Sequence, residues 1–313
     1  MKLRTEIQIP VSPVKINHSQ KLYFSGSCFS ENIAAKFSYF GFDALANSHG
    51  IIYNPVSIEN CILDLTIDKP YELADLNHYN GKYFSYAHHG IFSNHDPEQV
   101  LSNINETILL HKEHLKQASF VFITFGTAWV YTESLENILV ANCHKIPGSH
   151  FKKRLLTESE IGSAIQTIIA RIRIVNAQAK IVFTVSPVKH LKDGFIENQL
   201  SKSLLNVCLH SYLDENVTYF PAYEIMNDDL RDYRFWKEDM LHPNELAIEY
   251  IWQKFSEVYF SKETLQIMKE VKQYRQLVSH RPLSTHPDEI STLENKKNAE
   301  YTQLKRKYPQ LIL

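Results

Sequence analysis

Along the chain, short apolar runs alternate with longer segments whose apolar positions recur every three or four residues. The first run, Leu22-Tyr23-Phe24, breaks at Gly26; Phe29, Ile33, Phe37 and Phe40 then follow at helical spacing. This predicts a strand at about 21–25, a tight turn and a helix at about 29–40. A second strand is expected at Phe42–Ala46. Residues 47–97 are polar and turn-rich, and their good hairpin signal is Asn80-Gly81, which suits a type I′ turn between "DLNHY" and "KYFSYAHH". A helix at about 98–117 then leads into "SFVFITFG", a run of buried-strand character ending at Gly126. "AWVY" and "ILVAN" read as a hairpin, with Tyr131 pairing Ile138 and Thr127 lying opposite Asn142.

The second half continues the alternation. Thr157 and Glu160 make a capping-box pattern, and Ile161, Ile165, Ile168, Ile172 and Val175 line one face of the helix it opens. The strand "KIVFTV" follows, then a helix at about 197–215 with Leu200, Leu204, Val207 and Cys208 on its apolar side. The strand "VTYF" precedes a last amphipathic helix that starts at Pro243 and carries Leu246, Tyr250, Phe255 and Val258. Five strands separated by helices predict an α/β fold: one doubly wound parallel sheet covered on both faces, with sites beyond the carboxyl ends of the strands. Residues 1–260 would form this domain. Residues 261–313 read as a helical C-terminal extension, with a linker-like break at "RPLSTHPD".

Composition narrows the function classes. The 313 residues are 44% hydrophobic and 22% charged, with a formal net charge of -2. No bulk positive field recruits nucleic acid, and the basic "KKNAEYTQLKRKY" reads as a solvated tail helix. No run of about 18 apolar residues predicts a membrane span. "MKLRTEIQIPVSPVK" lacks an apolar signal core, so a cytoplasmic location is expected. Cys28, Cys61, Cys143 and Cys208 are scattered and are expected to be free thiols.

Ser27 and Cys28 stand where the first strand hands over to a helix. The free N–H groups there favour negative charge and should lower a thiol pKa; a serine would need a base. Asp239 and His242, three residues apart before the last helix, supply a carboxylate and an imidazole at the same sheet edge. The alternative is that Ser27 caps the helix, Cys28 is a small core residue and Asp239-x-x-His242 orders a helix entry.

"GSCFSENIAAKF" followed by "DMLHPNELA" resembles the GSCFA-domain family, which looks like a branch of the SGNH/GDSL hydrolase superfamily. "GIIYNP", "GTAWVY", "VANCHK", "TVSPVKHLKDG" and "FPAYEIMNDDLRDYRFW" fit the same family, and the likeness covers roughly residues 20–260. The resemblance implies a three-layer α/β/α SGNH-like fold and ester chemistry, and the mechanism read for it requires no cofactor. Laid on Gly26-Ser27-Cys28, the superfamily's G-D-S block puts Cys28 at the nucleophile; a one-residue shift favours Ser27 instead. The D-x-x-H block falls on Asp239 and His242, and Gly50 matches the glycine whose N–H serves an oxyanion hole. Gly126-Thr127-Ala128 lacks the asparagine of G-x-N. Asn142, with His144, is the substitute the hairpin would return to that edge.

Other signals are weaker. Adjacent His88-His89 and Cys143-His144 offer one ligand each at best, so no metal site is expected, although His89 could meet substrate at the active edge. Arg231, Tyr233, Arg234 and Trp236 could hold a sugar ring or an anion, and Lys189, His190, Lys192 and Asp193 follow the fourth strand. The reading is an acyl hydrolase acting on a small or carbohydrate ester. The rivals are an O-acyltransferase on the same site and a non-catalytic glycan- or peptide-binding module. The sequence does not specify oligomeric state.

Overall fold

The computed structural model describes residues 5–280 and 287–313. Its centre is a five-stranded, all-parallel sheet of β1 (Lys21–Gly26), β2 (Asp43–Ala46), β5 (Ala118–Phe125), β9 (Lys180–Val185) and β10 (Val217–Tyr219), in the order β10-β9-β5-β1-β2. The chain order reverses between β1 and β5, and doubly wound sheets open a crevice at such a point, outside the carboxyl ends.

Alternate strand residues face opposite layers. Val121, Ile123 and Phe125 pack under α2 (Pro55–Thr66), α3 (Pro97–Gln117), α4 (Glu158–Val175) and α5 (Phe195–His210). Phe120 and Phe122 join Phe24 and Phe37 beneath α1 (Cys28–Tyr39) and α7 (Glu245–Tyr259). That second layer is aromatic: Phe24 stacks on Phe122 at 4.7 Å, and Phe37 meets Trp252 edge-on at 5.0 Å. Each such pair adds about 0.5–1.5 kcal/mol beyond its buried area.

The Asn80-Gly81 hairpin forms as expected between β3 (Asn77–Tyr79) and β4 (Lys82–Phe84), both turn residues having positive φ. The capping box on α4 is present, with Thr157 and Glu160 exchanging bonds. Four expectations need correction. Residues 55–66 form α2, capped by Asn54 Oδ1 accepting from Ser57 N at 2.9 Å and burying Ile58, Cys61, Ile62 and Leu65. The hairpin of β6 (Trp129–Glu133) and β7 (Leu139–Val140) pairs Tyr131 with Val140, not Ile138. Its long partner is β8 (Phe151–Leu155), which completes a three-stranded sheet. The face of α5 is also rotated from the expected phase, since Leu200 and Val207 are exposed, while on α7 Phe255 and Val258 are buried as expected and only Leu246 is exposed. α7 begins at Glu245 and not at Pro243, with Asn244 as its cap accepting from Ala247 N.

Between β10 and α7 lie the short α6 (Ala222–Glu224) and a π-helical turn, Ile225–Asp229. The C-terminal α8 (Lys262–Ser279) and α9 (Pro287–Lys307) pack together around Ile267, Val271 and Leu311. Ile312 N donates to Gly41 O at 2.9 Å, tying the tail to the turn after α1. Of the break expected over 281–288, residues 281–286 lie outside the described residues and Pro287 and Asp288 open α9. No helix among the described residues is long and apolar enough to cross a membrane.

Candidate active site

Gly26 makes the β1–α1 handover possible. Its φ is +136°, and a Cβ there would lie 2.2 Å from Thr124 O on the neighbouring strand. Only glycine lets the chain turn so close to β5. Asn47 Oδ1 accepts the Gly26 N–H at 2.9 Å, which fixes the turn from the β2 side.

Ser27 follows as the N-cap of α1. Its hydroxyl accepts from Phe29 N at 3.3 Å, and the residue is 0% exposed. Ser27 is thus sealed off from the cavity wall. Cys28 is the first helical residue and is half-buried on the wall of a cavity of about 420 Å³. Its pKa is raised, against the sequence expectation. Burial and the charge of Glu31 outweigh the N–H groups of Cys28 and Phe29 and the charge of Lys202. The helix start does favour the thiolate, but desolvation is larger.

His242 lines the same cavity as Cys28. It sits on a tight turn: Asp239 Oδ1 accepts from Leu241 N at 2.9 Å and His242 N at 3.0 Å, while Met240 takes a left-handed φ of 59°. Asp239 Oδ2 then lies 2.7 Å from His242 Nδ1. These three bonds pull the Asp239 carboxyl down to about 2, the backbone N–H groups contributing most. The carboxylate therefore stays ionised and fixes which imidazole nitrogen faces the cavity. Lys189 N donates to Leu241 O at 3.1 Å, joining this turn to the segment after β9.

Of the expected oxyanion donors, only Asn142 lines the cavity. Its Oδ1 accepts from His144 N at 2.8 Å, leaving Nδ2 without a partner among the described residues. The Gly50 N–H is donated to Asn47 O at 2.9 Å within a turn, and Gly50 packs on His89 off the cavity wall. His89 caps a short turn through Nδ1 and is likewise off the wall. His144 spends both ring nitrogens, on Ser93 Oγ at 3.2 Å and Ser85 O at 3.0 Å, and stacks on Phe84. It is a strut for the loop that carries Asn142. Gly126 is held at the end of β5, its N–H donated to Tyr53 O at 2.6 Å.

Several wall residues lay outside the sequence expectation. Tyr53, Trp129 and Tyr131 supply aromatic surface, and Cys143 is a second thiol on the wall. His190, named among the residues after the fourth strand, faces the cavity, with Nε2 buried and unpartnered among the described residues. Burial, with the charges of Lys202 and His242, brings its pKa down to about 3, so it is neutral at ordinary pH.

The largest surprise is the inner face of α5, where Asn198, Ser201 and Lys202 are buried. Asn198 Oδ1 accepts from His190 N at 2.9 Å, and Ser201 Oγ accepts from Ala128 N at 2.7 Å. Lys202, 1% exposed, donates through Nζ to Gly126 O at 2.6 Å and Ser186 O at 2.7 Å. It thus clamps the carboxyl ends of β5 and β9 together directly behind the site. Burial lowers its pKa from 10.5 to about 7, opposed by Cys28.

The family profile described as the GSCFA family matches residues 21–255. No curated protein matches the chain. Among solved structures, an acetyl xylan esterase (Est2A) from the rumen bacterium Butyrivibrio proteoclasticus is similar at 12% identity and a TM-score of 0.36, over 80% of this chain and 67% of that one.

Proposed function

The chain belongs to the GSCFA family, and from that premise we propose that it is an acyl hydrolase for esters, with Cys28 as nucleophile, His242 as general base and Asp239 as the group that orients the imidazole. One observation carries the reading: a thiol at the first turn of α1 and an Asp-held imidazole before α7 line one cavity at the switch point of the sheet.

In this reading Cys28 Sγ attacks the acyl carbon as His242 takes the thiol proton. The alkoxide leaves with that proton, and water, deprotonated by His242, then cleaves the thioester. A thiol with a raised pKa makes the base necessary, because little free thiolate exists near neutrality. Asn142 Nδ2 and the Cys28 N–H at the start of α1 are the donors for the oxyanion; removing one such donor costs about 2.7–4 kcal/mol of barrier lowering. Tyr53, Trp129 and Tyr131 hold the organic part of the ester.

The test is hydrolysis of 4-nitrophenyl acetate by the wild type, Cys28→Ala and His242→Ala. The reading expects wild-type turnover that both variants lose while keeping the wild-type circular dichroism. Turnover that survives Cys28→Ala would overturn it. Adding an acceptor alcohol to the wild type reads transfer against hydrolysis directly, from the ratio of new ester to free acid.

A further inference from the structure

Beside the Cys28–His242 cavity lies a second one, of about 510 Å³, whose wall includes Lys189, Gln199, Tyr223, Arg231, Tyr233 and Trp236. Lys189 is the residue that both walls share. We propose that this second cavity, with Lys189 as its contact, binds an anionic group on a sugar whose ester is placed at Cys28. The proposal rests on the ester reading and adds the class of substrate.

The charge pattern points to an anion. Each carboxylate on either wall is already engaged: Asp193 with Lys153 at 2.5 Å and Asp228 with Arg231 at 2.7 Å. Lys189 and Lys192 have no carboxylate partner among the described residues. Among the groups on the two walls positive charge is therefore in surplus, in a chain whose net charge is -2, the Asp239 carboxylate being taken up by His242 and its own turn. Such a local surplus raises the concentration of an anionic ligand at the cleft.

The Lys189 ammonium is also held in place. Its Nζ lies 3.8 Å from the centre of the Trp236 ring, a cation–π position, and its backbone is bonded to Leu241 beside the catalytic turn. A cation fixed between the two cavities can set the distance between a bound anion and the scissile ester. Arg231 forms only an exposed pair with Asp228, its side chain 75% exposed, so it can turn to a ligand at little cost. Tyr233, 72% exposed, adds an aromatic face suited to the apolar side of a sugar ring. Gln199 and Asn227 supply hydrogen-bonding groups for hydroxyls.

Three sugars that differ at C6 test this: D-galacturonate, D-galactose 6-phosphate and D-galactose. Each is titrated into the Cys28→Ala protein, with tryptophan fluorescence and saturation-transfer NMR as readouts, so no turnover is needed. At least one anionic sugar should bind tenfold or more tightly than galactose. Lys189→Met in that background should bring it to the galactose level, and Lys189→Arg should restore most of the difference. Preference for galacturonate identifies a carboxylate site, and preference for the phosphate a phosphate site. Equal binding of all three sugars, or no effect of Lys189→Met, overturns the proposal. Because binding is measured without hydrolysis, an inert wild type would defeat the ester reading separately.

Discussion

Replacing Lys202 with methionine tests the clamp behind the site. The apolar chain is nearly isosteric, but Gly126 O and Ser186 O lose their donor. A buried carbonyl left unpaired costs about 1–3 kcal/mol, so the two together cost roughly 2–6 kcal/mol. The wild type bears an opposing cost. Its ammonium has a folded pKa of about 7 against an ordinary 10.5. At about 1.4 kcal/mol per pH unit, keeping it charged in the fold costs on the order of 5 kcal/mol. The unfolded chain binds the extra proton between these two values, so wild-type stability from this group rises with pH. Its contribution is complete above about 10.5 and is lost as pH falls to about 7. Lys202→Met cannot titrate there. The stability gap between wild type and variant should therefore be widest near pH 10 and should shrink by several kcal/mol by pH 6–7. Urea unfolding of both proteins from pH 6 to 10 reads this directly, and their difference removes the tyrosines and cysteines common to both. Two stability curves that stay parallel across the range would refute the reasoning, since the buried amine would then titrate as it does in the unfolded chain.

Cys28 should alkylate with iodoacetamide slowly at pH 7 and progressively faster through pH 9 and above, because burial and Glu31 raise its pKa; peptide mass spectrometry against Cys143 checks this, and a rate already level at pH 7 would contradict it. Ser27→Ala should cost about 1 kcal/mol by loss of the helix cap while leaving aryl-ester hydrolysis near wild type; a stable but inactive variant would move the nucleophile back to Ser27. Gly26→Ala should destabilise by more than about 4 kcal/mol, since the new Cβ would collide with Thr124 O, and a thermal melt close to wild type would show that the turn can relax. Glu160→Gln should cost about 1 kcal/mol at pH 7, after allowance for an exposed ion pair with Arg154. The Glu160 carboxyl is held at about 2 against 4.5, so that stabilisation is present above pH 4.5 and lost toward pH 2, where the urea midpoints of the two proteins should converge.

How much of this the sequence carried depends on what each residue must satisfy. The strands were legible because their apolar runs are buried on both faces, and α4 because its cap and its isoleucine stripe agree. The helix α2 was missed although Asn54-Pro55 is a cap followed by a first-turn proline, and Ile58, Cys61, Ile62 and Leu65 keep helical spacing. The polar residues on either side concealed it. The hairpin register slipped by two because the return strand is only Leu139–Val140, too short for its own pattern to set the pairing; the longer ladder with β8 does so. Since a slip of two keeps each side chain on its own face, Asn142 still reached the cavity wall.

The α5 phase shows why part of the site stayed hidden. Apolar residues were assumed to face inward, which selected Leu200 and Val207, and both are exposed. The buried stripe is Asn198, Ser201, Lys202, Leu205, Cys208 and Leu209, which keeps helical spacing but is polar in its first half. It must be polar there, because β5 and β9 end beneath it and leave the carbonyls of Gly126 and Ser186 and the N–H groups of Ala128 and His190 to be paired. An apolar helix start at that position would strand four backbone groups behind Cys28. A lysine in register with buried leucines is thus a readable sign that a helix covers the carboxyl edge of a parallel sheet. The same logic separates Ser27 from Cys28. The residue between strand and helix must cap the helix, so the residue after it is free to face the crevice.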